Sequence, residues 1–408
     1  MNSYLFLIGL CIVIILSFFA SSFAKKTSIP SALLLILIGV GVQQLLEYFK
    51  IDAELFSILE ILGIIGLIMI VLEAALDLEL SWAKWPIIWK SFTIAALSLG
   101  LTSFALSFVI KLFIPETSTL SSIIYAIPVS ILSSAIIIPS VANLSHYKKE
   151  FMIYESTFSD ILGIMVFYLF IENMNVEGVS RLSFNISGNI FMTIAISVVL
   201  SYVLLYVIQN IKGEAKFFLF LAVLILLYSI GKMFHLSSLI IILLFGLLLR
   251  NHKVLLFKKL EDWLYDEKID EVYKEFRLIT VETSFLVRTF FFVVFGMTLP
   301  LASLISWRVW IISVTFLAVA YILRFILFAV IEKKDTFPQV FIAPRGLISI
   351  LLFFAIPDSL KNAGIESGVL FVVIIATSII MAMSLIADSR KRKSLIKKKM
   401  NDSSTMIT

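Results

Sequence analysis

Long apolar runs recur along this chain, each of a length that suits a lipid bilayer better than a globular core. A helix rises 1.5 Å per residue, so about 20 apolar residues cross a hydrocarbon layer of about 30 Å. Such runs lie near 4–22, 31–47, 56–76, 91–113, 119–143, 151–171, 186–208, 216–233, 236–250, 279–299, 308–330, 337–357 and 367–387. Within lipid every backbone N–H and C=O must find a partner in the protein, and a helix achieves this segment by segment. The expected fold class is therefore all-α and polytopic, with about 13 transmembrane helices over residues 1–388. The ninth run is short and reads as less tilted or partly re-entrant. Composition agrees, since 60% of residues are hydrophobic and 15% charged, against about 25% charged in soluble domains.

Charge placement gives an orientation. With the N-terminus outside, 24 of the 33 Lys and Arg fall on cytoplasmic segments, 6 on external ones, and Arg288, Arg324 and Arg345 inside helices. Cytoplasmic loops collect basic residues, so this split supports an odd helix number with a cytoplasmic C-terminus. The apolar start ends near small residues, Ser21 to Ala24, as a signal peptide does. Its Lys25 and Lys26 follow the apolar stretch instead of preceding it, so we read a retained first helix in an inner, cytoplasmic-type membrane. Residues 251–278 mix both charges and read either as an amphipathic helix along the cytoplasmic surface or as an ordinary loop. The tail, 389–408, is basic and suits contact with anionic lipid.

Several function classes fall away. The single Cys11 forms no internal disulfide, three His are too few for a metal cage, and no Gly-rich phosphate loop or nucleic-acid motif appears. No cofactor is expected, and the net charge of +5 belongs to loops and tail. An intramembrane enzyme would need a nucleophile with its base, but Ser133 and Ser134 have no His in the membrane: His146 lies in the following loop and His235 near the external face.

The informative residues are charges inside the predicted spans. A charged side chain at the bilayer centre costs at least about 2.5–3.5 kcal/mol, so it is functional or paired. Seven stand out: Glu73, Glu155, Asp160, Glu282, Arg288, Arg324 and Arg345. Four acids against three bases leave one negative charge for a proton or a monovalent cation to neutralise. Asp160 sits about ten residues into the sixth run, roughly 15 Å deep, with Arg288 and Arg345 at similar depth. Glu282 and Arg324 fall near the inner interface, where snorkelling or mutual pairing accounts for them.

On the sixth helix Glu155 and Ser159 are four residues apart, as are Ser156 and Asp160, giving two adjacent polar stripes on one side. That side faces protein or water, and a helix-packing hydrogen bond is the alternative role for Asp160. The fifth run carries Ser133 and Ser134 halfway across, then Pro139; in the twelfth, Pro344 and Gly346 bracket Arg345. Broken helices in matching positions of two inverted halves point to a transporter's midplane site, where half-helix ends offer carbonyls and dipole charge to an ion.

At these residues the chain resembles the monovalent cation:proton antiporter superfamily, in particular sodium/proton antiporters of the NhaP kind and their sodium/hydrogen exchanger relatives. The matching stretches are EAALDLEL from Glu73, ESTFSD from Glu155 to Asp160, Arg345-Gly346 in the second break, and Arg288 within FLVRTFFFVVFGM. The likeness spans about residues 4–387. It implies thirteen helices, usually a homodimer, with core helices (about 91–171 and 308–387) moving against scaffold and dimer helices (about 4–76 and 216–299). It further implies Asp160 as the cation and proton carrier, with Ser156 and Glu155 as near ligands, Glu155 through water. Glu73, Glu155 and Arg345 would form a structural ion-pair cluster, and Arg288 would balance or compete with Asp160. The chain departs from the family in having Ser159 for the Asn of its Asn-Asp pair. It also has Ser133-Ser134-Ala135 where a Thr-Asp-Pro signature is usual, which removes an acid from the crossing.

The expected function is electroneutral exchange of one Na+ or K+ for one proton by alternating access at Asp160, serving pH homeostasis. The competing class is a channel or non-transporting membrane protein of the same fold.

Overall fold

The computed structural model describes residues 3–27, 31–48, 55–172, 195–207, 222, 224–226, 228–229, 238–252, 266–299, 304–333, 336–361 and 366–405. Its helices are α1 (Ser3–Thr27), α2 (Ser31–Tyr48), α3 (Leu55–Asp77), α4 (Trp85–Phe113), α5 (Thr119–Ser130), α6 (Ser134–Ser140), α7 (His146–Glu172), α8 (Ser238–Arg250), α9 (Asp266–Met297), α10 (Trp307–Ile331), α11 (Leu347–Phe354) and α12 (Ser367–Thr405). A further apolar helical stretch covers Ala195–Val207. No strand occurs among the described residues. Seven helical segments among them are long and apolar enough to cross a membrane, with Thr119–Ser140 treated as one. The predicted run 216–233 and the start of 186–208 lie largely outside the described residues, so the count of thirteen rests partly on sequence.

Local sequence sets the helix starts. Pro86 opens α4, where a missing N–H costs no helical bond. Ser118 caps α5, its Oγ accepting from the Ser121 amide at 3.0 Å. The lipid boundary is written in aromatics: Trp82, Trp85 and Trp89 are exposed at the start of α4. At its other end Arg308 donates to the Phe113 carbonyl, placing the exposed Trp307 there. Trp89 and Phe113 are about 36 Å apart along the helix, close to a bilayer's apolar thickness flanked by aromatic belts.

One expectation is corrected. The sequence reads 251–278 as a surface amphipathic helix or an ordinary loop, but from Asp266 onward it is the first part of α9, a single helix of 32 residues running into the predicted tenth span. Ile269, Val272 and Phe276 are buried there, and the Tyr273 hydroxyl donates to the Leu76 carbonyl at 3.3 Å. Those contacts with α3 hold the helix upright. Residues 253–265 lie outside the described set. The run 337–357 is interrupted around Arg345: a 3-10 turn at Gln339–Phe341 gives way to extended residues 342–346 before α11 begins.

The tightest helix pairs fall into two sets, α2, α3, α8 and α9 in one, α4, α5, α7, α10 and α12 in the other. The seam of the first set is α2 on α9. A Cβ on Gly39 would lie 2.1 Å from the Val293 carbonyl oxygen, and one on Gly296 2.3 Å from that of Ile36. Small residues let these backbones touch, as suits association where lipid offers no hydrophobic drive.

A candidate cation site where two helices break

Helix α5 stops at Ser130 and α6 starts at Ser134, so the residues between them lose their helical partners. The amides of Leu132, Ser133 and Ser134 find acceptors in other elements. Leu132 N donates to Ser159 Oγ at 2.9 Å, Ser133 N to the Pro344 carbonyl at 2.9 Å, and Ser134 N to Asp160 Oδ2 at 3.0 Å. Two of the three acceptors are side chains of α7. Gly163 permits the approach, because a Cβ there would meet the Ile131 side chain at 2.3 Å. The third acceptor belongs to the extended stretch before α11, and a Cβ on Gly346 would lie 2.3 Å from Ser133 Oγ. The two interruptions thus touch, beside Asp160.

Asp160 is 1% exposed. Its Oδ2 takes the Ser134 amide, while Oδ1 is buried with no hydrogen-bond partner among the described residues. No base lies within ion-pair distance of it in that set. A carboxylate oxygen left this way carries a desolvation cost that a proton or a cation removes. Thr157, three residues earlier on the same face, is 1% exposed and its hydroxyl is also unpartnered among the described residues. Ser156 is fully buried and donates to the Ile153 carbonyl at 3.2 Å, which leaves its oxygen lone pairs available.

The other buried charges are arranged differently from the expected cluster. Glu155 is held bidentately by Arg324, with Nη2 to Oε2 at 2.9 Å and Nη1 on Oε1. Arg324 also donates to the carbonyls of Val340, Gln339 and Ile342 at 3.0, 3.1 and 3.2 Å. It is 2% exposed and therefore does not snorkel. Both Glu155 oxygens are engaged, which fits a counter-ion better than a cation ligand. Arg345 meets no carboxylate among the described residues: Nε donates to Val129 O at 2.6 Å and Nη1 to Ala343 O at 2.7 Å. The Val129 carbonyl belongs to the last turn of α5, whose negative dipole end the guanidinium faces. Arg288 pairs with Glu73 at 3.1 Å and not with Asp160. Glu282 is exposed, so six of those seven charges are buried or half-buried, three acids and three bases. The surplus acid counted from the sequence is not there, and what singles out Asp160 is local.

A cavity of about 350 Å³ lies between α6 and the helices α1, α2, α3 and α9. Glu73, Asp77, Arg277, Arg288 and Thr289 line it on one side and Ser134 on the other, with Ser17 and Ser21 of α1 nearby. Its inner wall thus reaches the residue whose amide binds Asp160.

Arg324 and Thr157 are the site residues that the sequence reading did not place. Depth along α10 put Arg324 at the interface, and only the fold shows the 336–346 segment covering it. Thr157 sits beyond the Ser156–Asp160 stripe, where a hydroxyl carries no depth signal of its own.

The sodium/hydrogen exchanger transmembrane family matches residues 12–387. Among solved structures, the chain is similar to that of the sodium proton antiporter MjNhaP1 from Methanocaldococcus jannaschii at pH 8. The TM-score is 0.71 at 17% identity, covering 96% of this chain and 100% of that one. A map of the same antiporter by electron microscopy gives 0.67 at 18% identity, with 98% of each chain covered. No curated protein matches the sequence.

Proposed function

This chain belongs to the sodium/hydrogen exchanger family, and on that premise we propose that it exchanges one monovalent cation, Na+ or K+, for one proton at Asp160. The observation carrying this reading is the state of its carboxylate. Of the two carboxylates exposed by 1% or less among the described residues, Glu155 is neutralised by Arg324, whereas Asp160 has one oxygen on an amide and the other unpartnered in that set. A proton or a cation completes it, and one excludes the other.

The oxygens of Ser156, Thr157 and the Ser133–Ser134 pair stand around that carboxylate as further ligands. The broken-helix geometry supports this arrangement, since extended backbone presents carbonyls that a continuous helix would consume. Glu155 with Arg324 serves as a fixed counter-ion pair, and Glu73 with Arg288 as its equivalent across the cavity.

Alternating access follows from local charge. Moving an unloaded carboxylate through a sealed, low-dielectric interface costs several kcal/mol, so the loaded form crosses and the empty one stays. In this reading α4–α7 and α10–α12 form the moving core, related as inverted halves, and the α2–α3–α8–α9 set is the scaffold of a homodimer. The cavity then opens on the cytoplasmic side of an inner membrane, with the C-terminus on that side. Exchange of one charge for one is electroneutral.

The test is flux in reconstituted vesicles. A Na+ or K+ gradient drives dye-detected proton movement in the native protein, and Asp160→Asn reduces it to the level of empty vesicles. Exchange retained by Asp160→Asn removes the carrier role. No cation-driven proton movement in the native protein assigns the chain to the non-transporting or channel class.

A further inference from the structure

One acid and one arginine at the cavity mouth, Asp77 and Arg277, have no place in the mechanism so far, and they stand beside the Glu73–Arg288 pair. Glu73 and Asp77 are one turn apart at the end of α3, so both project to the same side. Arg277 and Arg288 lie three turns apart on α9, about 16 Å along one face. The helices run antiparallel, and the two guanidiniums reach toward the two carboxylates from above and below. Arg277 meets Asp77 Oδ1 at 3.0 Å and Arg288 meets Glu73 Oε1 at 3.1 Å.

All four side chains line the cavity that ends at Ser134. Their exposure orders them along it: Arg277 is 51% and Asp77 21% exposed, Arg288 21% and Glu73 14%, and Asp160 beyond is 1%. A cation approaching Asp160 from this side therefore meets Asp77 before any other carboxylate of the cavity wall. It finds that carboxylate occupied by a half-exposed guanidinium. An ion pair so exposed is weak and opens readily. The deeper pair, at 14% and 21%, is screened less and holds its geometry more firmly.

We propose that Asp77 and Arg277 form a displaceable guard at the cavity mouth. An incoming monovalent cation takes the place of Arg277 on Asp77, and Arg277 sets the cation concentration at which exchange half-saturates. The guard rests on the carrier reading of Asp160 but acts on a different parameter. It changes the local cation concentration at the mouth and leaves the step at Asp160 alone. Its effect must therefore appear in KM and not in kcat, and must fade as salt screens the mouth.

The experiment is a Na+ titration of proton flux in vesicles containing the full chain, at low and at high ionic strength set with choline chloride. With Arg277→Gln, the KM for Na+ falls about threefold at low ionic strength and converges on the native value at high, with kcat unchanged. With Asp77→Asn, KM rises by a similar factor, while Arg277→Lys stays near native. An unchanged KM in Arg277→Gln at both ionic strengths overturns the guard. So does a loss of kcat and thermal stability together in both neutral variants, which marks the pair as a structural clasp. Asp160→Asn run alongside separates the two readings. Its retained flux removes the carrier role, whereas a normal null for Asp160→Asn beside an unshifted KM for Arg277→Gln removes only the guard.

Discussion

Glu155 and Arg324 bring opposite charges into a place where neither survives alone. Removing one partner of a buried pair strands the other, at a cost of about 3–5 kcal/mol. Arg324→Gln is therefore expected to lower the thermal midpoint in detergent sharply, and adding Glu155→Gln to it to recover part of the loss. A double variant no more stable than Arg324→Gln contradicts the pairing. Competition at Asp160 has its own signature. Protonation occupies the oxygens a cation needs, so the apparent KM for Na+ should rise as pH falls while maximal flux at saturating Na+ holds. A KM flat across pH contradicts a shared site. Asp160, Glu155, Ser156 and Ser159 were legible in the sequence because depth along a helix and i, i+4 spacing can be counted. The partners were not. Arg288 lies as deep as Asp160, yet it serves Glu73, because depth says nothing about which neighbouring helix a side chain faces.

At the scale of elements, the two breaks hold each other through a glycine. A Cβ on Gly346 would overlap Ser133 Oγ, so Gly346→Ala should part the two extended stretches and reduce flux at least about tenfold, while the protein still purifies as a folded species. Native flux in that variant contradicts the close crossing. Gly39→Leu should act elsewhere, wedging α2 from α9, and appear as loss of folded protein in size-exclusion chromatography. The sequence pointed to a break in this region through Pro139. That residue lies within α6, and the helix is interrupted at residues 131–133. A proline removes only its own amide, whereas here Ser159, Asp160 and the Pro344 carbonyl supply better partners for three amides further back. No single-sequence rule counts acceptors that arrive from α7 and from the stretch before α11.

For the whole molecule, hydropathy made the all-α membrane fold readable, because lipid imposes helix length directly. The part of 251–278 from Asp266 onward differs from either reading for the complementary reason: mixed charge does not show that a segment continues into the next span until its contacts with the end of α3 are known. If one charge crosses for one charge, clamping vesicles at different potentials with potassium and valinomycin should leave Na+-driven proton flux unchanged, and a flux that follows the potential contradicts electroneutrality. Sidedness is testable in a Cys11→Ser background, where Asp77→Cys should react with an impermeant thiol reagent only from the cytoplasmic face. The claim on which the rest depends is that proton and cation displace one another at Asp160. The direct measurement is proton release from the purified protein in weakly buffered detergent solution on adding Na+ or K+ near the pH midpoint of exchange. The account predicts close to one proton released per cation bound, and none from Asp160→Asn. Cation binding without proton release, or equal release from that variant, would contradict it.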